Sequence, residues 1–191
     1  HATLAICQEM GDKQMEAAVL NDLGAVARYQ NDFGTAVRHY TAALSIAQEI
    51  GDRRTESCAL NLLGIIAGTR YQFLEARDYF SRDLQICREI DDQDGEAEAL
   101  GNLGHIEVIL GNFSQAETYI QQDLQIARQI GNRHSELATL ALLGWCENVQ
   151  GHWSAAAVHF QAGQQLAIEI GEQETEMYCL SGLGNALVGL N

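Results

Sequence analysis

Five glycines, Gly24, Gly64, Gly104, Gly144 and Gly184, recur every forty residues without drift. A fixed period of that length points to copies of one unit stacked in a row, not to a chain wound round a single core. Each glycine interrupts an apolar pattern of helical period, where it costs about 1 kcal/mol relative to alanine. Close approach of a neighbouring helix would offset that cost. A second small position runs Ala36, Ala76, Ala116 and Ala156, with Tyr40, Phe80, Ile120 and Phe160 four residues on. Spacing of four places both on one helix face. The bulky Phe33, Phe73, Phe113 and Trp153 fall between the glycine-bearing and alanine-bearing segments and read as anchors that plug a turn inside each unit.

The turns have their own chemistry. Between units the chain reads Gly11-Asp12, Gly51-Asp52, Asp91-Asp92, Gly131-Asn132 and Gly171-Glu172. Glycine suits the left-handed residue that closes a helix, and Asp or Asn can cap the next by accepting a backbone N–H. Asp91 breaks the rule and predicts a less relaxed turn. Inside each unit the bend is expected at Asn31-Asp32, Tyr71-Gln72, Gly111-Asn112 and Gly151-His152. Every unit is thus two antiparallel helices, A then B, and the fold class is all-α.

A helix A carrying L-x-x-L-G, followed by G-N-F-x-x-A at the start of helix B, resembles the tetratricopeptide repeat. Leu100, Leu103, Gly104, Gly111, Asn112, Phe113 and Ala116 match that pattern, as do Leu60, Leu63, Gly64, Phe73 and Ala76. The commonest form has 34 residues and a Pro at the inter-repeat turn, whereas this chain repeats at forty and has no Pro. It is in that respect similar to the longer subtype of kinesin light chains, Pins-type G-protein modulators and the sensor regions of bacterial signalling ATPases and caspase-like proteases. The resemblance implies a right-handed α-solenoid, a superhelix of antiparallel helix pairs.

One array is expected over 1–191, with full repeats at 11–50, 51–90, 91–130 and 131–170. Residues 1–10, HATLAICQEM, align with TAALSIAQEI at 41–50 and read as a partial helix B; 171–191 read as the helix A of a truncated repeat. The half-repeats suggest a piece of a longer protein, and uncapped ends suggest end-to-end self-association, since an open repeat face is apolar.

The formal net charge is −15, from 26 acidic and 11 basic residues. That balance disfavours nucleic acid and anionic membrane surfaces and fits a basic peptide or protein. It also serves to keep a helical surface soluble. The five cysteines form no C-x-x-C pair, and Cys7 and Cys87 occupy the register of Ala47, Ala127 and Ala167, so they read as small core residues in a reducing, cytoplasmic setting. No apolar run is long enough to span a bilayer.

The resemblance places partner binding on the concave face lined by A helices. In this sequence the corresponding positions are Asn21, Ala25, Arg28 and Tyr29, then Asn61, Ile65 and Thr69. The series continues through Glu98, His105, Val108, Ala141, Trp145 and Asn148 to Tyr178, Ser181 and Asn185. Aromatic rings supply contact area at low entropic cost and amides pair with a peptide backbone. An equal claim on Trp145 and Tyr29 is packing against neighbouring A helices. Arg28 is almost the only basic residue in the series, which speaks against a clamp for a terminal carboxylate.

No catalytic, cofactor or metal site is expected. The sequence contains no H-E-x-x-H, G-x-S-x-G, phosphate-loop or dinucleotide fingerprint. His152 and His159 lack further ligands, and the acidic run from Asp91 to Glu98 lacks the first ligand of a calcium loop. Two function classes stay open: a scaffold that binds a protein or peptide on its concave surface, and the sensor arm of a larger bacterial signalling ATPase or caspase-like protease whose catalytic part lies elsewhere.

Overall fold

A computed structural model describes residues 2–190, the side chain of Ala2 excepted; His1 and Asn191, the two ends of the expected array, lie outside the described residues. Among the described residues there are ten α-helices and no strand. They are α1 (Ala2–Met10), α2 (Lys13–Tyr29), α3 (Phe33–Ile50), α4 (Arg53–Thr69), α5 (Phe73–Glu89), α6 (Gln93–Ile109), α7 (Phe113–Ile130), α8 (Arg133–Val149), α9 (Trp153–Ile170) and α10 (Gln173–Gly189). All B helices after the first begin on the bulky anchor residue.

The turns follow the expected chemistry. Gly51, Gly131 and Gly171 close their helices in the left-handed conformation. In the first of these the Asp52 N–H reaches back to the Ala47 carbonyl at 2.9 Å, the long bond of a Schellman motif. Asp12, Asp32, Asp52 and Asn132 cap the next helix, each side chain accepting from the backbone N–H three residues on. Asp91 takes the glycine's place with φ +55°, the strained turn that its side chain implied.

The chain divides into two compact units, His1–Asp92 and Gln93–Asn191. In the first, α2 pairs with α3, α4 with α5, and α3 packs on α4, while α1 lies against α2. Its core joins Leu20, Tyr40, Leu44, Leu60, Leu63, Ile66 and Ile86. In the second, α6 pairs with α7 and α8 with α9, α7 packs on α8, and α10 closes on α8 and α9. Its core falls into clusters round Phe160 and Cys179, round Val108 and Ile120, and round Leu137 and Leu166.

The periodic glycines mark where each A helix meets its own B helix. A Cβ at Gly64 would lie 2.6 Å from Phe80 Cε1, one at Gly104 2.5 Å from Ile120 Cγ1, and one at Gly144 2.7 Å from Phe160 Cδ1; Gly24 stands in the same relation to Tyr40. The residue four after each alanine is therefore the one that enters the glycine's slot. Gly184 differs, with nothing within 4 Å of its Cβ position.

Candidate partner-binding face

Six of the twelve principal A-helix positions lie in the first unit. Asn21 is buried, at 8% exposure, and its side-chain carbonyl has no hydrogen-bond partner. One turn on, Ala25 is half-buried, and a further turn brings Arg28, also half-buried. The Arg28 guanidinium lies over the exposed Tyr29 ring, 5.0 Å from its centroid, a cation–π pairing. Its Nε has no hydrogen-bond partner, and neither does the hydroxyl of the fully buried Tyr40. Burial pushes the Tyr40 phenol above its usual value, with the neighbouring Arg28 opposing the rise. On α4, Asn61 and Ile65 are half-buried. Thr69 is engaged by its own helix, donating from Oγ1 to the Ile65 carbonyl at 2.9 Å.

The second unit brings two of its positions into direct contact. The rings of His105 on α6 and Trp145 on α8 lie 5.2 Å apart, tilted by 41°. Trp145 is half-buried and packs on both the Phe160 and the Ile120 clusters. His105 keeps an exposed edge, yet burial of its ring lowers its pKa, which keeps the imidazole neutral at neutral pH. Asn148, one turn beyond Trp145, is half-buried with an unpartnered Oδ1. Tyr178 meets Phe160 edge-on at 6.3 Å and 69°. Glu98, Ser181 and Asn185 are exposed, whereas Val108 and Ala141 are core residues at 3% and 6% exposure. Those two therefore do not offer the surface their register suggested; α7 and the helices round α8 cover them.

An unpartnered amide carbonyl at a half-buried site is an acceptor waiting for an N–H, since leaving such a group unmet costs on the order of 1–3 kcal/mol. Aromatic rings beside such acceptors suit a peptide backbone. Three buried thiols are held protonated: burial raises Cys87 to about 12, Cys146 to about 11, and Cys179 also above its usual value. Among the described residues no group of three or more His, Cys, Asp or Glu could hold a metal ion, and no helix is long and apolar enough to cross a membrane. A cleft lined by Leu63, Ile66, Arg70, Glu75 and Tyr79 has a volume of about 50 Å³, well below the roughly 300–1,000 Å³ of small-molecule sites.

Several polar contacts were not anticipated from the residues. Gln8 and Gln48 donate to Glu16 and Glu56 across the inter-unit turns at 2.9 and 3.0 Å, and Arg128 does the same to Glu136 at 2.8 Å. The signal was present, because these glutamates are themselves spaced by multiples of forty residues. Asp83 and Asp123 are buried on B helices. Asp83 accepts from Ser57, and Asp123 accepts from Thr139 Oγ1 at 2.6 Å and Ser135 Oγ at 3.4 Å. Nothing in the local sequence distinguishes them from surface acids.

A tetratricopeptide repeat family model matches residues 55–129 and 95–169. No curated protein sequence matches the chain significantly. Among solved structures, BtubC (BKLC) from P. vanneervenii superposes with a TM-score of 0.86 at 17% identity, covering 99% of this chain and 80% of that one. The apo form of RapI gives 0.82 at 19% identity, over 87% of this chain and 62% of its own. Aspartyl phosphate phosphatase F from Bacillus subtilis gives 0.64 at 14% identity, over 91% and 49%. The chain thus spans most of the first and about half to two thirds of the other two. At these identities the likeness is one of fold.

Proposed function

Because the chain belongs to the tetratricopeptide repeat family, we propose that it is a protein-interaction scaffold holding a peptide or protein segment on its A-helix face. The observation that carries this reading is the group on α6 and α8: the His105–Trp145 ring pair with the unpartnered Asn148 carbonyl one turn away. A tilted pair of rings beside an unmet acceptor suits an extended chain that lays a side chain against them and donates a backbone N–H. In the first unit, Asn21 and Asn61 place amides at one register of successive repeats, and Arg28 adds a guanidinium. The formal charge of −15 favours a basic partner. The work assigned to the chain is recognition, with no step of covalent chemistry.

The test compares the wild-type chain with Trp145→Ala and Asn61→Ala variants as bait for partners from the source organism, followed by titration of the captured partner. Loss of a half-buried aromatic anchor is expected to weaken binding by about tenfold or more, and Asn61→Ala by less. Retention of every partner at unchanged affinity by both variants would remove the A-helix face from consideration.

A further inference from the structure

We propose that the cleft between α3, α4 and α5 in the first unit docks a segment of a partner protein in which an aliphatic side chain stands next to an acidic residue. None of the residues lining this cleft is among the A-helix positions described above, so the surface is separate from that face and does not depend on it.

The cleft has the size of one side chain. Its floor is Leu63, Ile66 and Ala67, at 3%, 1% and 4% exposure, and its rim carries Arg70, Gln72, Glu75 and Tyr79. A volume of about 50 Å³ holds about three to five heavy atoms at roughly 10–15 Å³ each. The branched end of a Val or Leu side chain fits that space.

The rim fixes the charge of what lies beside it. Of the eleven Lys and Arg residues in the chain, Arg70 is the one that makes no side-chain hydrogen bond, ion pair or ring contact among the described residues. Glu75 on the same rim is already engaged, one oxygen accepting from Gln72 Nε2 at 2.9 Å and the other from the Tyr79 hydroxyl at 3.3 Å. The second unit contains the answered version of this site. There Gln150 takes the register of Arg70 and Glu117 that of Val37, and the Gln150 amide donates to Glu117 at 3.2 Å. In the first unit the answering position is Val37, which lines the cleft and cannot accept a hydrogen bond. A carboxylate from outside completes the arrangement, and its charge-assisted bond to a guanidinium is stronger than a neutral one. Acids elsewhere on the chain do not cancel this, since exposed charges beyond roughly 8 Å are screened at physiological ionic strength.

Tyr71 supplies an independent observation. It follows Arg70 and precedes Gln72, and it holds φ +61° where Asn31, Gly111 and Gly151 stand in other repeats. A bulky side chain adopts that conformation only at a cost. Packing within the fold does not offset it, because the ring is 82% exposed and meets Phe73 only edge-on, at 6.0 Å and 88°. Strained residues cluster at ligand clamps, and tyrosine is a preferred interface anchor. Beside the cleft, the ring gives a seated segment a surface to pack on.

The experiment titrates the isotope-labelled full chain with the peptide acetyl-Ala-Leu-Glu-Ala-amide and follows backbone and arginine side-chain signals by NMR. Saturable shifts are expected at Arg70, Tyr71 and Glu75, with a dissociation constant on the order of 1 mM. Replacing Glu by Gln in the peptide, or Arg70→Gln in the chain, should weaken binding about fivefold or more. Val37→Glu, which supplies the carboxylate from α3 itself, should abolish it. Arg70 is exposed, so Arg70→Gln keeps the fold even if Val37→Glu perturbs the helical circular dichroism. The proposal is overturned by an absence of shifts at these residues, by equal binding of the Glu and Gln peptides, by preference for a Lys peptide, or by shifts confined to Asn21, Asn61 and their neighbours on the A-helix face.

Discussion

Phe160→Ala is expected to destabilise the second unit by about 3–5 kcal/mol, the range for deleting a fully buried aromatic ring. The ring is 1% exposed and fills the space against two glycines at once, Gly144 on α8 and Gly182 on α10. It also receives the edge of Tyr178. Neither glycine has a side chain that could collapse into the vacancy, so the cavity term stays large. Urea unfolding followed by circular dichroism measures the loss. A shift below about 1 kcal/mol would mean that the ring does not hold α8, α9 and α10 together.

Asp123→Asn is expected to stabilise the chain, and to do so only above acidic pH. Asp123 is 4% exposed; burial raises its pKa to about 6, against the opposing hydrogen bonds from Thr139 and Ser135. A raised carboxylate pKa favours the folded state when the group is protonated. That contribution is fully present below the unfolded value near 3.8 and is lost as pH rises through about 6. The wild type therefore carries a burden on the order of 2–3 kcal/mol at pH 8 relative to pH 4. Asparagine keeps the acceptor for Thr139 and removes the charge. The stability difference between variant and wild type should grow by about that amount from pH 4 to pH 8; a difference that stays flat across the range would show that Asp123 is not a buried, ionising group.

Much of this fold was legible because the information is periodic. Glycine, alanine and the bulky anchor each recur at forty residues, and an array in which units contact mainly their neighbours translates such recurrence directly into helix pairs. The bends lie where Asn31, Tyr71, Gly111 and Gly151 predicted them, all four with positive φ. The departure at Asp91 was readable for the same reason. Matching each glycine to the aromatic or branched residue sixteen positions later needed the coordinates, since a close approach can come from any neighbour.

The polar interior was less legible. Asp83 and Asp123 occupy the register filled by Ala43 and Gly163 in other repeats, and an acid in an otherwise small-residue position reads locally as a solvated one. The hydroxyls of Ser57, Ser135 and Thr139, brought from the paired or following helix, help make burial tolerable, and the Cys87 thiol also donates to Asp83. The same limit applies to the A-helix face. Register alone put Val108 and Ala141 beside Trp145 and Asn148, but which of these keeps an exposed edge depends on how far neighbouring helices reach. The Asn21 carbonyl, the Arg28 Nε and the Tyr40 hydroxyl are unpartnered for reasons of side-chain packing that no spacing rule encodes.

The account rests on four filled glycine slots and one open one, and the pair Gly144→Ala and Gly184→Ala tests it most directly. Both changes gain about 1 kcal/mol of helix propensity. At Gly144 the new methyl meets the Phe160 ring at 2.7 Å, an overpacking that costs about 1–3 kcal/mol; at Gly184 it meets nothing. Urea midpoints should therefore move in opposite directions, down for Gly144→Ala and up for Gly184→Ala. Midpoints that rise together would contradict the interlock between each A helix and its B helix.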